Sequence, residues 1–161
     1  RICTASQGRK GARTPATSRF SPLNMATLRH QPEQSRCDVY NGTRGPLPRV
    51  PFCTIAKDIL GPRFAISVAL LGDRRSRALN LEFRKKSYVP NVLSFQTGKT
   101  TGEIILNPRK ARQEAKQYGH TEREHLLYLF VHACLHLKGH DHSTRMDALE
   151  QKYFQKHLKD A

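Results

Sequence analysis

The sequence predicts a single α+β domain over residues 37–161, in which a small mixed β-sheet is covered by helices. Short apolar runs bounded by glycine and proline predict strands, and longer amphipathic stretches between them predict helices. One of the most apolar helical stretches carries several histidines near its end, so we expect a metal site there. The roughly 120 residues involved are enough to form one hydrophobic core.

The first half of this domain is predicted to contain two strands and two helices. A short strand near residues 38–40 is followed by a helix over FCTIAKDIL, which ends at Gly61 and Pro62. The β-branched, apolar run RFAISVALL then predicts a buried strand. A second helix is expected over residues 74–85.

The second half is predicted to contain two more strands and three helices. The runs VLSF and EIIL predict the strands, and Pro108 begins a helix that Gly119 stops after residue 118. Thr121 and Glu124 have the spacing of a capping box, which predicts the start of the long histidine-bearing helix. A last helix is expected over residues 145–158.

Three histidines in the run VHACLHLKGHDH have the spacing H-x3-H-x5-H. His132 and His136 are four residues apart and therefore share one face of a helix. Gly139 can adopt the left-handed conformation that ends a helix, which would turn His142 back toward the same ion. Three neutral nitrogens with a fourth position for water are typical of a catalytic zinc site. We therefore predict one Zn²⁺ per chain.

An alternative interpretation is that these histidines form a solvated or incidentally chelating tract, since six of the eight lie between His120 and His142. The apolar residues around them argue against this, because imidazoles embedded in an apolar helix need partners. His125 lies roughly 10 Å from His132 along the helix, too far to share the ion. His140 lies in the turn and either contacts substrate or is exposed.

The residue after the first histidine distinguishes a peptidase from other zinc hydrolases. In the pattern H-E-x-x-H the glutamate is the general base of a peptidase, but here Ala133 occupies that position. A zinc peptidase is therefore the third choice of function. Zinc lowers the pKa of water to about 7 without help from a carboxylate, so metal-assisted hydrolysis of another bond remains.

The charge of the chain favours phosphate-bearing partners. There are 28 Lys and Arg residues against 13 Asp and Glu, which gives a formal charge of +15. Nucleic acid is therefore the leading substrate class. Residues 1–36 contribute +6 of this charge, so the remainder of the chain is still strongly basic.

Residues 1–36 are expected to be a disordered basic leader or an upstream extension. Residues 1–24 are rich in Arg, Ser, Thr and Gly and contain no acidic residue. This composition fits an organellar transit peptide, although untranslated sequence upstream of a start at Met25 is the preferred explanation. The sequence contains no run of 18 consecutive apolar residues, so no membrane span is predicted. The expected location is the cytoplasm, or an organelle if the transit peptide is genuine.

The four cysteines, Cys3, Cys37, Cys53 and Cys134, include no C-x-x-C pair. We therefore expect no disulfide framework, and a reducing compartment is the simplest setting. Cys134 lies two residues from each of the two helical histidines and so points to roughly the opposite side of the helix. It is expected to be a small core residue.

The run HACLHLKGHDH resembles the H-G-x-L-H-L-x-G-Y-D-H signature of the YbeY family, metal-dependent endoribonucleases that act in ribosomal RNA maturation. The segments LNLEFRKKSYVPNVLSF, GEIILN and MDALEQKYF resemble further family motifs in the right order, so the resemblance covers residues 37–158. The chain departs from the family pattern at four positions. Ala133 replaces glycine, His140 replaces tyrosine, Pro90 replaces threonine and Glu103 replaces aspartate.

The resemblance implies that the three spaced histidines bind zinc and that Arg84 is needed for RNA cleavage. Independently, a guanidinium near the metal can hold a phosphodiester bidentately and stabilise charge in the transition state. Lys85 and Lys86 extend this basic patch toward RNA, unless they form only a solvated helix end. Glu103 either orients a ligand or a water or is a strand residue that faces solvent.

The function that the resemblance implies is a zinc-dependent endoribonuclease that prefers single-stranded RNA. It would process the 3′ end of small-subunit ribosomal RNA and serve ribosome quality control. The expected partners are ribosomal RNA, the small ribosomal subunit and a ribosome-associated GTPase, with no membrane. The alternative is a non-catalytic ribosome-assembly or RNA-binding factor in which zinc is structural.

Overall fold

The computed structural model describes residues 36–159, which form one α+β domain. The elements, in chain order, are β1 (Cys37–Asn41), α1 (Phe52–Leu60), β2 (Ala65–Leu70), α2 (Asp73–Arg84), β3 (Val92–Gly98), β4 (Thr101–Leu106), α3 (Pro108–Ala115), α4 (Glu122–Leu137) and α5 (Thr144–Lys159). The predicted fold class and the predicted order of elements are confirmed. The predicted helix over residues 108–118 divides into α3 and a 3-10 turn, Lys116–Tyr118.

The four strands form one mixed sheet in the order β1-β2-β4-β3. β1, β2 and β4 are parallel, whereas β3 is antiparallel to β4, with Val92 opposite Leu106 and Phe95 opposite Glu103. The three parallel strands therefore end together at one edge of the sheet, which we call the carboxyl edge. We call the opposite edge, where these strands begin, the amino edge.

The two faces of the sheet carry separate apolar clusters, because alternate residues of a strand point to opposite faces. Val68 and Ile104 on one face join the main core, which also contains buried side chains of α1, α4 and α5. Leu93 and Ile105 on the other face form a smaller cluster with Leu79 of α2. α4 is the central helix of the main core, and 12 of its 16 residues are buried. This agrees with a helix that is apolar on all sides.

Both ends of α4 are defined by the local signals that the sequence predicted. Thr121 Oγ1 accepts a hydrogen bond from the Glu124 N–H at 3.2 Å, and Glu124 Oε2 accepts one from the Thr121 N–H at 2.7 Å. At the other end Gly139 has a φ of 96°, and the N–H groups of Gly139 and the following residue bond back to carbonyls of the last turn. This arrangement is the Schellman motif, and it reverses the chain after α4.

Cys37 and Cys53 form a disulfide, so the expectation of no disulfide is wrong for this pair. Cys37 begins β1 and Cys53 lies in the first turn of α1, with their Cα atoms 5.5 Å apart. The pair forms because α1 packs beside the start of β1, a long-range contact that the cysteine spacing does not reveal. The cysteines therefore give no support for a reducing compartment. Cys134 is free and fully buried, as predicted, and burial raises the pKa of its thiol.

Two further expectations concern the ends of the chain and membranes. The predicted leader lies, apart from Arg36, outside the described residues. No helix within residues 36–159 has both the length and the apolar character needed to cross a membrane.

Candidate metal centre

His132, His136 and His142 come together at the C-terminal end of α4, as the sequence predicted. One ring nitrogen from each histidine lies within 4.8 Å of the other two. His132 and His136 occupy successive turns of α4, and their Nε2 atoms are 3.1 Å apart. The Schellman motif at Gly139 returns the chain so that His142 completes the group. We call these three residues the histidine group.

The histidine group could hold a metal ion. A tetrahedral ion with metal–nitrogen distances of about 2.0–2.1 Å separates its ligand nitrogens by about 3.4 Å, close to the spacing of the two helical histidines. Burial and the neighbouring rings of His132 and His142 lower the pKa of His136 to about 4. Its imidazole is therefore neutral at pH 7, as a ligand must be. His132 and His136 are buried and His142 is exposed, so the group opens to solvent on one side.

A buried carboxylate orients one member of the histidine group. Glu150 Oε2 of α5 lies 2.5 Å from His132 Nδ1, and both side chains are buried. Donation from Nδ1–H to the carboxylate fixes the tautomer of the ring and leaves Nε2 available to a metal. Tyr128, one turn earlier on α4, also hydrogen-bonds Glu150, and burial raises the pKa of its hydroxyl. Sequence reasoning missed the role of Glu150, although the family-like segment MDALEQKYF contains this residue.

Replacing Glu150 with alanine is expected to weaken metal binding by about 10–100-fold, because His132 loses the acceptor that fixes its tautomer. Glu150→Gln is expected to have a smaller effect, since its amide oxygen can still accept from Nδ1–H. Competition with a chromophoric zinc chelator measures the affinity. The matched control is Gln151→Ala, which alters an exposed neighbour on α5. Equal zinc affinity in Glu150→Ala and wild type, with both proteins folded by circular dichroism, would contradict this role.

The predicted RNA-binding residues lie at the end of a different helix. Arg84 is the last residue of α2 and is half-buried, whereas Lys85 and Lys86 are exposed. Lys85 is the one non-glycine residue within residues 36–159 with a positive φ, 58°. Its Nζ donates to the Glu82 carbonyl at 2.9 Å. The chain therefore turns sharply just after Arg84.

The helices α2 and α4 end near the same edge of the sheet. The ring of Phe83 lies 5.2 Å from that of Phe95, whose partner on β4 is Glu103. A Cβ atom added at Gly102 would lie 3.0 Å from Leu137 Cδ1, at the last residue of α4. Consecutive strand residues point to opposite faces of a sheet. The end of α2, near Glu103, and the end of α4, against Gly102, therefore lie on opposite faces of the sheet. Both ends are near the amino edge, where β4 begins.

The remaining candidates lie outside the histidine group. Glu103 is half-buried on β4, and burial raises the pKa of its carboxyl. His140 lies half-buried in the turn before His142, where its N–H bonds the last turn of α4. His125 is fully buried and has a separate partner, with its Nε2 3.5 Å from Glu114 Oε2. His125 therefore lies outside the histidine group, as the helical spacing predicted.

Comparison with known proteins gives a consistent result. A family model described as endoribonuclease YbeY matches residues 52–160. An endoribonuclease YbeY from Solibacter usitatus is 40% identical over 88 residues, which are 52% of this chain and 60% of that protein. The one from Albidiferax ferrireducens is 36% identical over 108 residues, which are 65% of this chain and 73% of that protein.

A solved structure has a similar fold. The solution structure of TM1509 from Thermotoga maritima superposes with a TM-score of 0.60 at 22% sequence identity. The similarity covers 77% of this chain and 90% of that one.

Proposed function

The chain belongs to the YbeY family, and we propose that it is a metal-dependent endoribonuclease that hydrolyses RNA phosphodiester bonds in ribosomal RNA processing. The observation that carries this proposal is the histidine group at the end of α4. The relatives are named endoribonucleases, and the formal charge of +15 suits a polyanionic substrate. We assign residues 37–161 to this endoribonuclease domain.

We assign zinc to the histidine group, at one ion per chain. Imidazole nitrogens suit zinc, and three protein ligands leave a coordination position open, as in catalytic sites. When bound, the ion supplies Lewis acidity and activates water for attack on phosphorus. The His136 ring is held neutral by burial, and Glu150 keeps the His132 ring in the tautomer that a metal requires. Buried Ala133 occupies the position of the peptidase glutamate, so the general base of that pattern is missing there.

Arg84 is assigned to the scissile phosphodiester. A guanidinium presents two parallel N–H donors to two phosphate oxygens and stabilises the charge that develops there in the transition state. The end of α2 and the end of α4 lie near the same edge of the sheet, which favours joint action on one phosphate. Lys85 ends α2 in the left-handed conformation, where the N–H groups of Lys85 and Lys86 bond back to carbonyls of the last turn, and this cap fixes the backbone directly after Arg84.

The neighbouring polar residues are assigned to the substrate and to water. Lys85 and Lys86 contact phosphates on either side of the scissile bond, which is consistent with their exposure beside Arg84. His140 contacts RNA from the turn that carries His142. Glu103 orients a water molecule at the amino edge of β4.

The biological setting is proposed on the basis of family membership. We propose single-stranded RNA as the preferred substrate, with cleavage at the 3′ end of small-subunit ribosomal RNA and a role in ribosome quality control. The small subunit and a ribosome-associated GTPase would be the partners, and the cytoplasm the location. Single strands are favoured because their backbone can bend into a site formed by two separate helix ends.

Removal of zinc tests the proposed function. A labelled single-stranded RNA is incubated with the purified full chain before chelation, after chelation, and after zinc is restored to one ion per chain. Cleavage is expected to stop with the chelator and to return with zinc, because an ion held by the histidine group would supply the Lewis acidity that activates water. Persistent cleavage by metal-free protein would contradict the proposal.

The same experiment addresses the two other candidate functions. Stoichiometric zinc and RNA binding without cleavage would favour the non-catalytic assembly factor, which the basic charge of the chain also suits. Casein cleavage that stops with the chelator would favour the peptidase. In that case another residue would have to replace the missing base at Ala133.

A further inference from the structure

A cleft at the carboxyl edge of the sheet has an arginine-rich lining. It lies between the turn after β1 and the first turns of α2 and α3, and its volume is about 540 Å³. Its lining contains five arginines and a single acidic residue, Asp73. The arginines are Arg44, Arg74, Arg75, Arg109 and Arg112. We call this the arginine cleft.

Two of the five arginines have carboxylate partners within the fold. Arg109 pairs with Asp73, and Asp73 also accepts a hydrogen bond from Asn107 Nδ2 at 2.9 Å. Arg112 binds both carboxylate oxygens of Glu122, at 2.7 and 2.9 Å. The one acidic residue of the lining is therefore occupied by other groups and does not neutralise the remaining arginines.

Arg44, Arg74 and Arg75 provide the uncompensated charge of the cleft. All three are exposed, and within the described part of the chain none of them forms an ion pair or a side-chain hydrogen bond. The Arg75 guanidinium extends over Gly42, where an added Cβ would lie 3.3 Å from Nη1. The first turn of α2, after Gly72, has no side-chain cap within residues 36–159, so its backbone N–H groups add further donors.

The arginine cleft is distant from the histidine group. The cleft follows the last residues of the parallel strands, whereas α4 ends against Gly102 near the start of β4. β4 has six residues, which separate the two edges of the sheet by about 16 Å. A ligand in the cleft would therefore not contact the metal.

We propose that the arginine cleft binds successive backbone phosphates of an RNA strand, at a contact separate from the metal centre. This inference rests on the proposed function, because it takes RNA as the substrate. Guanidinium groups and helix N-termini both favour phosphate oxygens. None of the twelve lining residues is aromatic, and the exposed ring of Tyr40 lies beside Gly42 without being part of the lining, so guanidinium groups are the main contacts that the cleft offers. It therefore suits the RNA backbone, independent of sequence, better than a nucleotide.

The test is the salt dependence of RNA binding by the metal-loaded protein. Fluorescence anisotropy of a labelled single-stranded RNA is recorded with the cleft of wild type and with the triple variant Arg44→Ala, Arg74→Ala, Arg75→Ala, both in a protein that also carries Arg84→Ala to slow cleavage, with gels to verify that the RNA stays uncut. Each phosphate contact contributes about −0.7 to the slope of log K against log salt for single strands. The triple variant is expected to have a slope about 2 units less negative and roughly tenfold or more weaker binding.

A second triple variant controls for the loss of general positive charge. Lys57→Ala, Lys152→Ala and Lys159→Ala together remove the same charge from exposed positions on α1 and α5. The slope of this control is expected to stay close to that of wild type. Equal loss of affinity in both triple variants, or none in the arginine variant, would overturn the proposal.

Two further measurements separate this inference from its alternatives. ATP that binds wild type but not the arginine variant, while RNA binds both equally, would identify a nucleotide site and overturn the proposal. Cleavage of an RNA too short to reach from the metal to the cleft is expected to be equal in wild type and the arginine variant. Because binding and cleavage are measured separately, failure of the cleft proposal would be distinguishable from failure of the proposed nuclease function.

Discussion

Replacing His136 with alanine is expected to reduce RNA cleavage by roughly a thousandfold or more and to lower the metal content well below one ion per chain. The ring is buried, and its Nε2 lies 3.1 Å from that of His132. Among residues 36–159, the histidine group has no fourth member that could replace His136 as a ligand. A bound metal supplies several kcal/mol of transition-state stabilisation, and each 1.4 kcal/mol corresponds to a factor of ten in rate.

Metal analysis and RNA cleavage on the same preparations measure this effect. His120→Ala is the matched control, since His120 is a half-buried histidine outside the histidine group and is expected to leave both quantities unchanged. Loss of metal affinity in His136→Ala should exceed the 10–100-fold expected when only a supporting hydrogen bond is removed. Equal cleavage by wild type and His136→Ala would indicate a contaminating nuclease or another catalytic centre.

The features that could be predicted from the sequence are those determined by neighbours along the chain. The capping box of Thr121 and Glu124 needs only three residues of separation, and the left-handed Gly139 follows directly from the end of the apolar helix. The helical repeat placed His132 and His136 on one face. The histidine group could therefore be predicted almost completely, because two ligands share one helix and the third follows a single turn.

The features that could not be predicted depend on how distant elements pack. Glu150 reaches His132 across 18 residues, because α5 folds back along α4. Cys37 and Cys53 are joined by the packing of α1 beside β1. The strand order is likewise unreadable, because β-branched, apolar runs predict strands without specifying which strands pair.

The arginine cleft is another consequence of packing. It combines residues from three turns that are far apart in the sequence but meet because β1, β2 and β4 end at the same edge. In the sequence, its arginines are scattered among the other basic residues and form no motif. Net charge predicted a polyanionic partner, but only the parallel arrangement of the strands shows where uncompensated charge collects.

Replacing Arg84 with alanine is expected to lower RNA cleavage by about 10²–10³-fold while metal content stays at the wild-type value. The guanidinium is assigned to charge that develops on the phosphate, so the loss should fall mainly on kcat and little on KM. Arg84→Lys keeps the charge but loses the planar pair of donors, and its rate should lie between those of alanine and wild type. The matched control is Lys57→Ala, which removes an exposed positive charge from α1.

The comparison of Arg84 with His136 separates the two parts of the proposed mechanism. The histidine variant should lose metal and activity together, whereas the arginine variant should lose activity alone, because Arg84 ends α2 and does not belong to the histidine group. Single-turnover cleavage with zinc analysis on each preparation measures both quantities. Unchanged kcat in Arg84→Ala would remove this residue from the mechanism and leave the basic end of α2 as a binding surface. Loss of zinc in the same variant would instead show that α2 supports the metal centre structurally.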